Sequence, residues 1–299
     1  MSRTRCSRRE FLAAGLGAAT ALRIGAQSPS TKRLATDWVP LGKSGVKVTR
    51  LAFGTGTHGG RVQRELGQEG FTRLVRHAYD QGIRFFETAD TYGGMHDMLG
   101  IALKGLPRDS YRLMTKYRTP NQGDPLPKFD TYRKQLNTEY FDVMLLHCVR
   151  PPTWDTDYVD MQDACQEAKH RKVILAHGAS VHGLPALRRF PGNKFLEIAM
   201  IRMNHKGTRM DTESATEAPA EAIGNVSEVV AHTRKVHAEG MGVISMKLVG
   251  EGRFTNPEDR EAALRHTMNL GCVDSVTIGF KSTAEIDEAI ERMNRVMNS

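Results

Sequence analysis

Eight short apolar runs, each followed by a more polar segment, dominate this 299-residue sequence from residue 48 onward. In the last polar segment Ile286, Ile290, Met293 and Met297 recur every three or four residues, which is the spacing of one helix face. Nearly continuous apolar runs are typical of strands buried on both faces by flanking helices. The runs cover residues 48–55, 83–89, 111–116, 141–147, 173–180, 195–204, 242–248 and 273–280.

This alternation predicts an α/β fold, a (β/α)8 TIM barrel in which eight parallel strands close on themselves inside a ring of helices. An open, doubly wound sheet is the structural alternative. It is disfavoured because no run is followed by the Gly-x-Gly-x-x-Gly turn that binds dinucleotides in such sheets. We therefore assign residues 38–299 to one barrel domain. An N-terminal β-hairpin is expected over residues 38–48, with its turn at Lys43-Ser44-Gly45, where it would close the barrel floor.

The first 30 residues are predicted to be an export signal. A basic stretch ends in Arg8-Arg9, and an apolar run over residues 11–22 follows. The run is too short to cross a bilayer about 30 Å thick, so a cleavable signal is favoured over a stable membrane anchor. The paired arginines resemble the twin-arginine signal of bacteria. We therefore expect the twin-arginine export machinery as a partner and a periplasmic or otherwise exported location.

Charge and cysteine content say little about other partners. Residues 1–27 hold five arginines and one glutamate, which is +4 of the formal net charge of +8 and leaves +4 for the rest. No dense basic run interleaved with aromatic residues follows, so no nucleic-acid partner is expected. Cys6 would leave with the signal. Cys148, Cys165 and Cys272 are widely spaced, which predicts core thiols rather than disulfides or a metal site.

Polar residues end three consecutive apolar runs. Asp90 and Tyr92 follow the second run, Lys116 ends the third and His147 ends the fourth. In an α/β barrel the active site lies at the carboxyl ends of the strands. Adjacent strands are about 4.8 Å apart, so these four side chains are expected to converge.

The four residue types suit carbonyl reduction, because a carbonyl oxygen needs a proton when its carbon receives hydride. A tyrosine phenol with a pKa of about 10 is a poor acid near neutrality. The ammonium of Lys116 would stabilise the phenolate that Tyr92 leaves behind. Asp90 would keep Lys116 charged and oriented, and His147 would hydrogen-bond the carbonyl oxygen.

The segments around these residues resemble the aldo-keto reductase family. Residues 86–93 are similar to the family's signature around its catalytic aspartate and tyrosine. Residues 115–116 resemble its lysine segment, residues 142–147 its histidine strand, and residues 41–56 its first hairpin and strand. The resemblance runs in order from about residue 40 to the end of the chain. It implies transfer of hydride between NAD(P)H and an aldehyde or ketone, with Tyr92 as the acid, Lys116 and Asp90 as its tuning pair and His147 positioning the carbonyl.

The same resemblance implies a nicotinamide cofactor across the barrel mouth. Lys281 and Ser282 precede a helix N-terminus, where free amides and the helix dipole favour an anion such as the additional phosphate of NADPH. NADPH is therefore the expected cofactor, with NADH as the alternative. The candidate cofactor contacts are Gly54, Thr55, Ser180, Lys247, Lys281, Ser282 and Glu288.

Four positions depart from the family pattern and keep a second interpretation open. Val181, Met200 and Met246 stand where members of the family have polar or aromatic contacts to the nicotinamide. Glu285 stands where an arginine often faces the 2′-phosphate. The alternative function is therefore a catalytically impaired barrel that binds a nicotinamide or another ligand. A metal-dependent hydrolase is disfavoured, because no His-x-His or His-Glu-x-x-His pair ends an apolar run.

The pocket itself is expected to be shaped by the loops after the fourth, sixth and seventh strands, including residues 151–158 and 207–224. Loops carry most of the specificity of such barrels, because the strands and helices beneath them are shared by enzymes of very different chemistry. The physiological substrate is therefore not predicted by the sequence.

Overall fold

The computed structural model describes residues 32–118 and 124–299, so the predicted signal over residues 1–30 lies outside the described part of the chain. The strands of the described residues are β1 (Trp38–Pro40), β2 (Lys47–Thr49), β3 (Leu51–Gly54), β4 (Phe85–Glu87), β5 (Arg112–Arg118), β6 (Phe141–Val149), β7 (Ile174–Val181), β8 (Ile198–Arg202), β9 (Gly242–Met246) and β10 (Ser275–Gly279). The helices are α1 (Arg61–Arg64), α2 (Gly67–Asp80), α3 (Met95–Leu103), α4 (Leu126–Gln135), α5 (Trp154–Asp157), α6 (Val159–His170), α7 (Leu184–Leu187), α8 (Val226–Ala238), α9 (Pro257–Met268) and α10 (Thr283–Met297).

Within the described residues, strands β3 to β10 pair in parallel and close a barrel as β10 returns to β3. Strands β1 and β2 pair antiparallel, with Val39 opposite Val48. The predicted (β/α)8 barrel and its N-terminal hairpin are therefore confirmed, and each of the eight apolar runs overlaps one barrel strand. The long loop predicted after the sixth barrel strand is also present, because the chain between β8 and α8 holds a single bridge, Thr208 with Ile223.

Apolar layers on both faces of the barrel strands explain why their sequences are nearly continuous hydrophobic runs. Side chains alternate across a strand, so one set points into the barrel and the other toward the helices. The inward set forms its own cluster, which includes Val143, Leu145, Ile198 and Ile244. The outward set packs against the helices in a larger cluster. Burial on both faces leaves polar side chains room mainly at the strand ends.

The hairpin fills the amino-terminal end of the barrel. Its side chains belong to the inward cluster, namely Val39, Leu41, Val46 and Val48. Beside them the Lys43 amide donates to the Gly240 carbonyl at 2.8 Å. Gly42 has a φ of 54°, and a Cβ on it would lie 2.3 Å from the Gly242 nitrogen. The backbone of the hairpin therefore approaches β9 so closely that no side chain fits between them.

At the other end of the barrel, the inward positions become polar. On β5, Lys116 and Arg118 follow the inward Met114 at intervals of two residues. The same alternation places Glu87 after Phe85 on β4 and His147 after Leu145 on β6. These positions lie at the carboxyl ends of three neighbouring strands. None of the helices in the described residues is both long and apolar enough to cross a membrane.

Replacing Gly42 with alanine should destabilise the barrel more than replacing Gly45, the other positive-φ glycine of the hairpin. Both positions carry the backbone cost of a left-handed conformation, but a Cβ at Gly45 meets nothing within 4 Å. The excess loss of unfolding free energy at Gly42 should be about 1–3 kcal/mol, the usual cost of overpacking. Denaturant unfolding of the two variants measures it, and equal losses would show that the hairpin does not press on the barrel floor.

Candidate active site

A buried ion pair lies at the centre of the polar end of the barrel. Lys116 is fully buried, and its Nζ donates to the carboxylate of Glu87 on the neighbouring strand β4. The same nitrogen lies 3.0 Å from the Thr88 carbonyl oxygen and 3.2 Å from the Tyr92 hydroxyl. Burial lowers the pKa of Lys116 to about 7, because desolvation disfavours its charged form. The carboxylate of Glu87 in contact with it favours the ammonium form, because an adjacent opposite charge stabilises the charged state.

Tyr92 lies on the turn that follows β4, with its hydroxyl between the ammonium and the open mouth of the barrel. Burial raises the pKa of this phenol above its usual range, so it keeps its proton at neutral pH. A glycine makes room for the ring, because a Cβ on Gly56 would lie 2.5 Å from the Tyr92 hydroxyl oxygen. The site therefore presents a protonated phenol whose deprotonated form would be stabilised by Lys116.

His147, at the end of β6, packs its imidazole edge-to-face against the Tyr92 ring with centroids 5.5 Å apart. Its Nδ1 lies 3.2 Å from the Thr91 hydroxyl and 3.8 Å from a carboxylate oxygen of Asp90. Burial lowers the pKa of His147 to about 4, while the nearby Asp90 carboxylate acts in the opposite direction. The ring is therefore neutral at pH 7, and it is held from its Nδ1 side.

Asp90 does not pair with Lys116, so the predicted pairing of these two residues is wrong. Its carboxylate accepts from the Arg118 amide at 3.0 Å and from the Tyr132 hydroxyl at 3.1 Å, and it faces His147. The reason lies in the backbone. Strand β4 ends at Glu87, so alternation points that side chain into the barrel, whereas Asp90 lies three residues later in the turn.

The sequence did contain a signal for Glu87, because it is a carboxylate on the strand itself, two residues after the inward Phe85. The predicted phenol, ammonium and imidazole do converge, with Tyr92 in contact with both Lys116 and His147. Thr91 and Gly56 are further contributors that sequence reasoning missed. Their roles depend on the conformation of two loops, which no residue pattern specifies.

A cavity of about 560 Å³ opens beside Tyr92 and Glu87 and extends away from His147 toward α9 and α10. Of the predicted cofactor contacts, the cavity wall includes Gly54, Lys247, Lys281 and Glu288. Thr55, Ser180 and Ser282 lie outside it: the first two are fully buried, and Ser282 caps α10 by accepting from the Glu285 amide.

The cavity wall fits a flat, polar ligand near Tyr92. A Cβ on Gly54 would lie 2.7 Å from the Thr277 methyl and 3.0 Å from a carboxylate oxygen of Glu87, so only glycine leaves this groove open. Among the described residues, the Thr277 hydroxyl is buried on the cavity wall and has no hydrogen-bond partner. An unsatisfied buried hydroxyl is costly, and a carboxamide group would satisfy it.

The three apolar departures fall in different places. Met200 and Met246 line the cavity, so they form an apolar floor for a ligand ring. Val181 is buried in the outer cluster with the helix-facing residues. It therefore does not remove a polar contact from the site, because its position on β7 points away from the barrel interior.

Ion pairs hold the far end of the cavity. The Glu285 carboxylate accepts from the Lys281 amide at 2.8 Å. The Glu288 carboxylate accepts from Arg260 Nε at 2.8 Å and from Arg292 Nε at 2.7 Å. Both arginines line the cavity and were missed by sequence reasoning. Arg292 lies one helical turn after Glu288 and was recognisable by that spacing, but Arg260 comes from another helix.

Lys247 lies on the loop that follows β9, and residues of this loop form part of the cavity wall. Its ammonium pairs with the Glu251 carboxylate, which also accepts from Arg209 Nε at 2.7 Å. Lys247 and Glu251 both have positive φ angles, 58° and 59°. Such left-handed backbone is uncommon outside glycine and clusters at functional sites. The described residues include no group of three or more His, Cys, Asp or Glu side chains placed to hold a metal.

The comparisons with known proteins identify the family of this barrel. The family model described as "Aldo/keto reductase family" matches residues 50–299, so the chain belongs to that family. A probable aldo-keto reductase from Glycine max is 32% identical over 37% of this chain and 36% of its own length. The L-galactose dehydrogenase of Arabidopsis thaliana is 33% identical over 48% of each chain. The matched part thus spans between a third and a half of the length of these curated relatives.

Solved structures share the fold at low identity. A putative aldo-keto reductase from Pseudomona aeruginosa has a TM-score of 0.67 at 18% identity, with 91% of this chain and 99% of that chain covered. An aldo-keto reductase from Bacillus halodurans in its holo form has a TM-score of 0.67 at 19% identity, with 87% and 95% covered. Membership of this family supports oxidoreductase activity on carbonyl compounds.

Replacing Asp90 with asparagine should lower the pKa of His147 below about 4, because the carboxylate raises that pKa against burial. Side-chain NMR titration of the histidines measures the shift. Glu87→Gln is the matched control, since it removes a carboxylate that contacts Lys116 instead. An unchanged His147 titration in Asp90→Asn, or an equal shift in the control, would show that Asp90 does not act on the imidazole.

Proposed function

We propose that this protein transfers hydride between a nicotinamide dinucleotide and an aldehyde or ketone. The observation that carries the proposal is the Tyr92 hydroxyl, 3.2 Å from the buried ammonium of Lys116 at the wall of the 560 Å³ cavity. A phenol beside a buried ammonium has one evident chemical use, which is to give a proton to an oxygen that is gaining charge.

In the proposed reaction, bound NAD(P)H supplies the hydride that the carbonyl carbon accepts. Tyr92 donates its hydroxyl proton to the carbonyl oxygen, and Lys116 stabilises the phenolate that remains. Glu87 favours the charged form of Lys116 inside the barrel through their direct contact. His147 is neutral, and with its Nδ1 engaged by Thr91, its Nε2 is the group available to orient the carbonyl oxygen.

Residues on both sides of the cavity would hold the dinucleotide. Gly54 leaves the groove for the nicotinamide, with the Thr277 hydroxyl as a partner for its carboxamide. Lys281 and Ser282 support NADPH through their place before α10. Glu285 supports NADH, because a carboxylate suits the ribose hydroxyls of NADH better than a 2′-phosphate. NADPH remains the sequence-based prediction and NADH its alternative.

Fluorescence titration of the purified protein with NADPH and with NADH tests the proposal, followed by assays on aldehydes and ketones. Tight binding of either dinucleotide together with turnover supports a reductase. Binding without turnover of any carbonyl compound would favour the catalytically impaired barrel. If neither dinucleotide binds, the reductase proposal is wrong.

Tyr92→Phe should lower kcat by about 10²–10⁴-fold, the usual contribution of a general acid. The dinucleotide should still bind, because phenylalanine keeps the ring that fills the space beside Gly56. Stopped-flow kinetics and the binding titration separate the two effects. Turnover at the wild-type rate in this variant would exclude Tyr92 as the proton donor.

Glu285→Arg should shift the ratio of the NADPH and NADH dissociation constants toward NADPH by about tenfold, which corresponds to about 1.4 kcal/mol. The change replaces a carboxylate on the cavity wall with a cation beside Lys281. Glu291→Arg, on the exposed side of the same helix, is the matched control for charge. If the ratio of dissociation constants shifts equally in both variants, the 2′-phosphate of NADPH does not bind beside residue 285.

We also propose that the protein is exported by the twin-arginine route to the periplasm. Support comes from the sequence of residues 1–30 alone, with Arg8-Arg9 ahead of an apolar run. That route carries folded proteins, so a dinucleotide bound in the cytoplasm would travel inside its site. Cell fractionation of the full chain checks the location, and a purely cytoplasmic protein would contradict the proposal.

A further inference from the structure

The side of the site opposite the cavity, beyond His147, is built around a bulge at the end of β6. The pairing of β6 with β7 shifts between Leu146 and Val149, and Cys148 has a φ of 58°. Cys148 lies 3.5 Å from His182 Nε2, and Arg150 follows directly after the strand. The cavity proposed for the dinucleotide has no residue of β6 or β7 in its wall, so this bulged side is the one left for the rest of the carbonyl substrate.

Most of the cations around this side are already neutralised by close carboxylates. Arg202 donates to Asp211 at 2.6 Å, and the Asp211 carboxylate is fully buried. Lys247 pairs with Glu251. Burial lowers the pKa of His182 well below its usual value, so its ring is neutral at pH 7. None of these three groups therefore offers a net positive charge to a ligand.

Arg150 differs from them because it is sheltered yet weakly paired. Its side chain is 17% exposed, but the carboxylate nearest to it, on Glu217, is 3.7 Å away and 75% exposed. An exposed pair at that distance contributes little. Arg150 lies three residues after His147, directly beyond the carboxyl end of β6, which is the end of the barrel that carries the site. A sheltered cation without a close partner is the arrangement expected before an anion binds.

We infer that Arg150 binds a carboxylate on the substrate, and that the proposed reductase acts on carbonyl compounds that carry an acidic group. This inference rests on the proposed function and specifies its substrate class. The planar guanidinium matches a carboxylate with two parallel hydrogen bonds. Glu217, on the long loop after β8, occupies part of that position and yields it to the ligand, since its carboxylate is mostly in water.

The kinetic test compares two aldehydes of similar size, 4-carboxybenzaldehyde and 4-methylbenzaldehyde. In the wild type, kcat/KM should be at least about tenfold higher for the carboxylated compound, chiefly through KM. Arg150→Gln should remove most of this preference, and Arg150→Lys should keep part of it. Arg171→Gln is the matched control, because it removes an arginine charge at the C-terminus of α6 and should leave the preference intact.

A binding test keeps the inference independent of turnover. Calorimetry measures benzoate and its neutral isostere benzamide against the protein saturated with dinucleotide. Benzoate should bind more tightly than benzamide to the wild type and to Arg171→Gln, and that difference should shrink by about tenfold in Arg150→Gln. The difference should also weaken with added salt, as expected for a partly exposed charge pair.

The outcomes separate this inference from the proposed function. A wild type that reduces both aldehydes equally well, or a preference that survives in Arg150→Gln, overturns the role of Arg150 while leaving the reductase in place. Equal binding of benzoate and benzamide overturns it as well. Failure to bind NADPH or NADH overturns the reductase itself, and benzoate selectivity that depends on Arg150 would still establish the carboxylate site.

Discussion

The contact between Lys116 and Glu87 inside the barrel is the interaction on which the rest of the site depends. Removing two charges from water costs several kcal/mol each, and their mutual attraction repays this only when geometry and further hydrogen bonds are good. Here the Thr88 carbonyl and the Tyr92 hydroxyl take the remaining directions around the ammonium. A buried pair of this kind adds little to stability, so its value lies in holding a charge beside the phenol.

Two carboxylates three residues apart in sequence thus contact different groups. Glu87 belongs to the strand and points inward to the lysine, whereas Asp90 belongs to the turn and faces the histidine. Glu87 favours the charged form of the lysine, whereas burial keeps the imidazole neutral although Asp90 opposes that shift. A barrel permits this arrangement because each strand end delivers side chains both to the interior and to the rim.

The two sides of the barrel mouth also differ in how closely their cations are paired with carboxylates. On the cavity side, ion pairs such as Glu288 with Arg260 and Arg292 satisfy most of the cations before any ligand arrives. On the bulged side, Arg150 has only a loose contact with an exposed glutamate. This difference in pairing is consistent with the two proposals, a dinucleotide on the cavity side and a substrate carboxylate at Arg150.

The amino-acid sequence by itself determined the barrel, the hairpin and the strand ends that carry Tyr92, Lys116 and His147, because burial on both faces imposes a pattern that is legible along the chain. Only the tertiary structure decided that Glu87 pairs with Lys116, since a carboxylate's direction depends on where a strand stops and a turn begins. It also placed Arg260 next to Glu288, and Arg150 directly after the bulge at the end of β6. These contacts join residues that are distant in sequence or displaced by an irregular backbone. Neither kind of contact produces a periodic pattern in the sequence, so neither can be predicted from it.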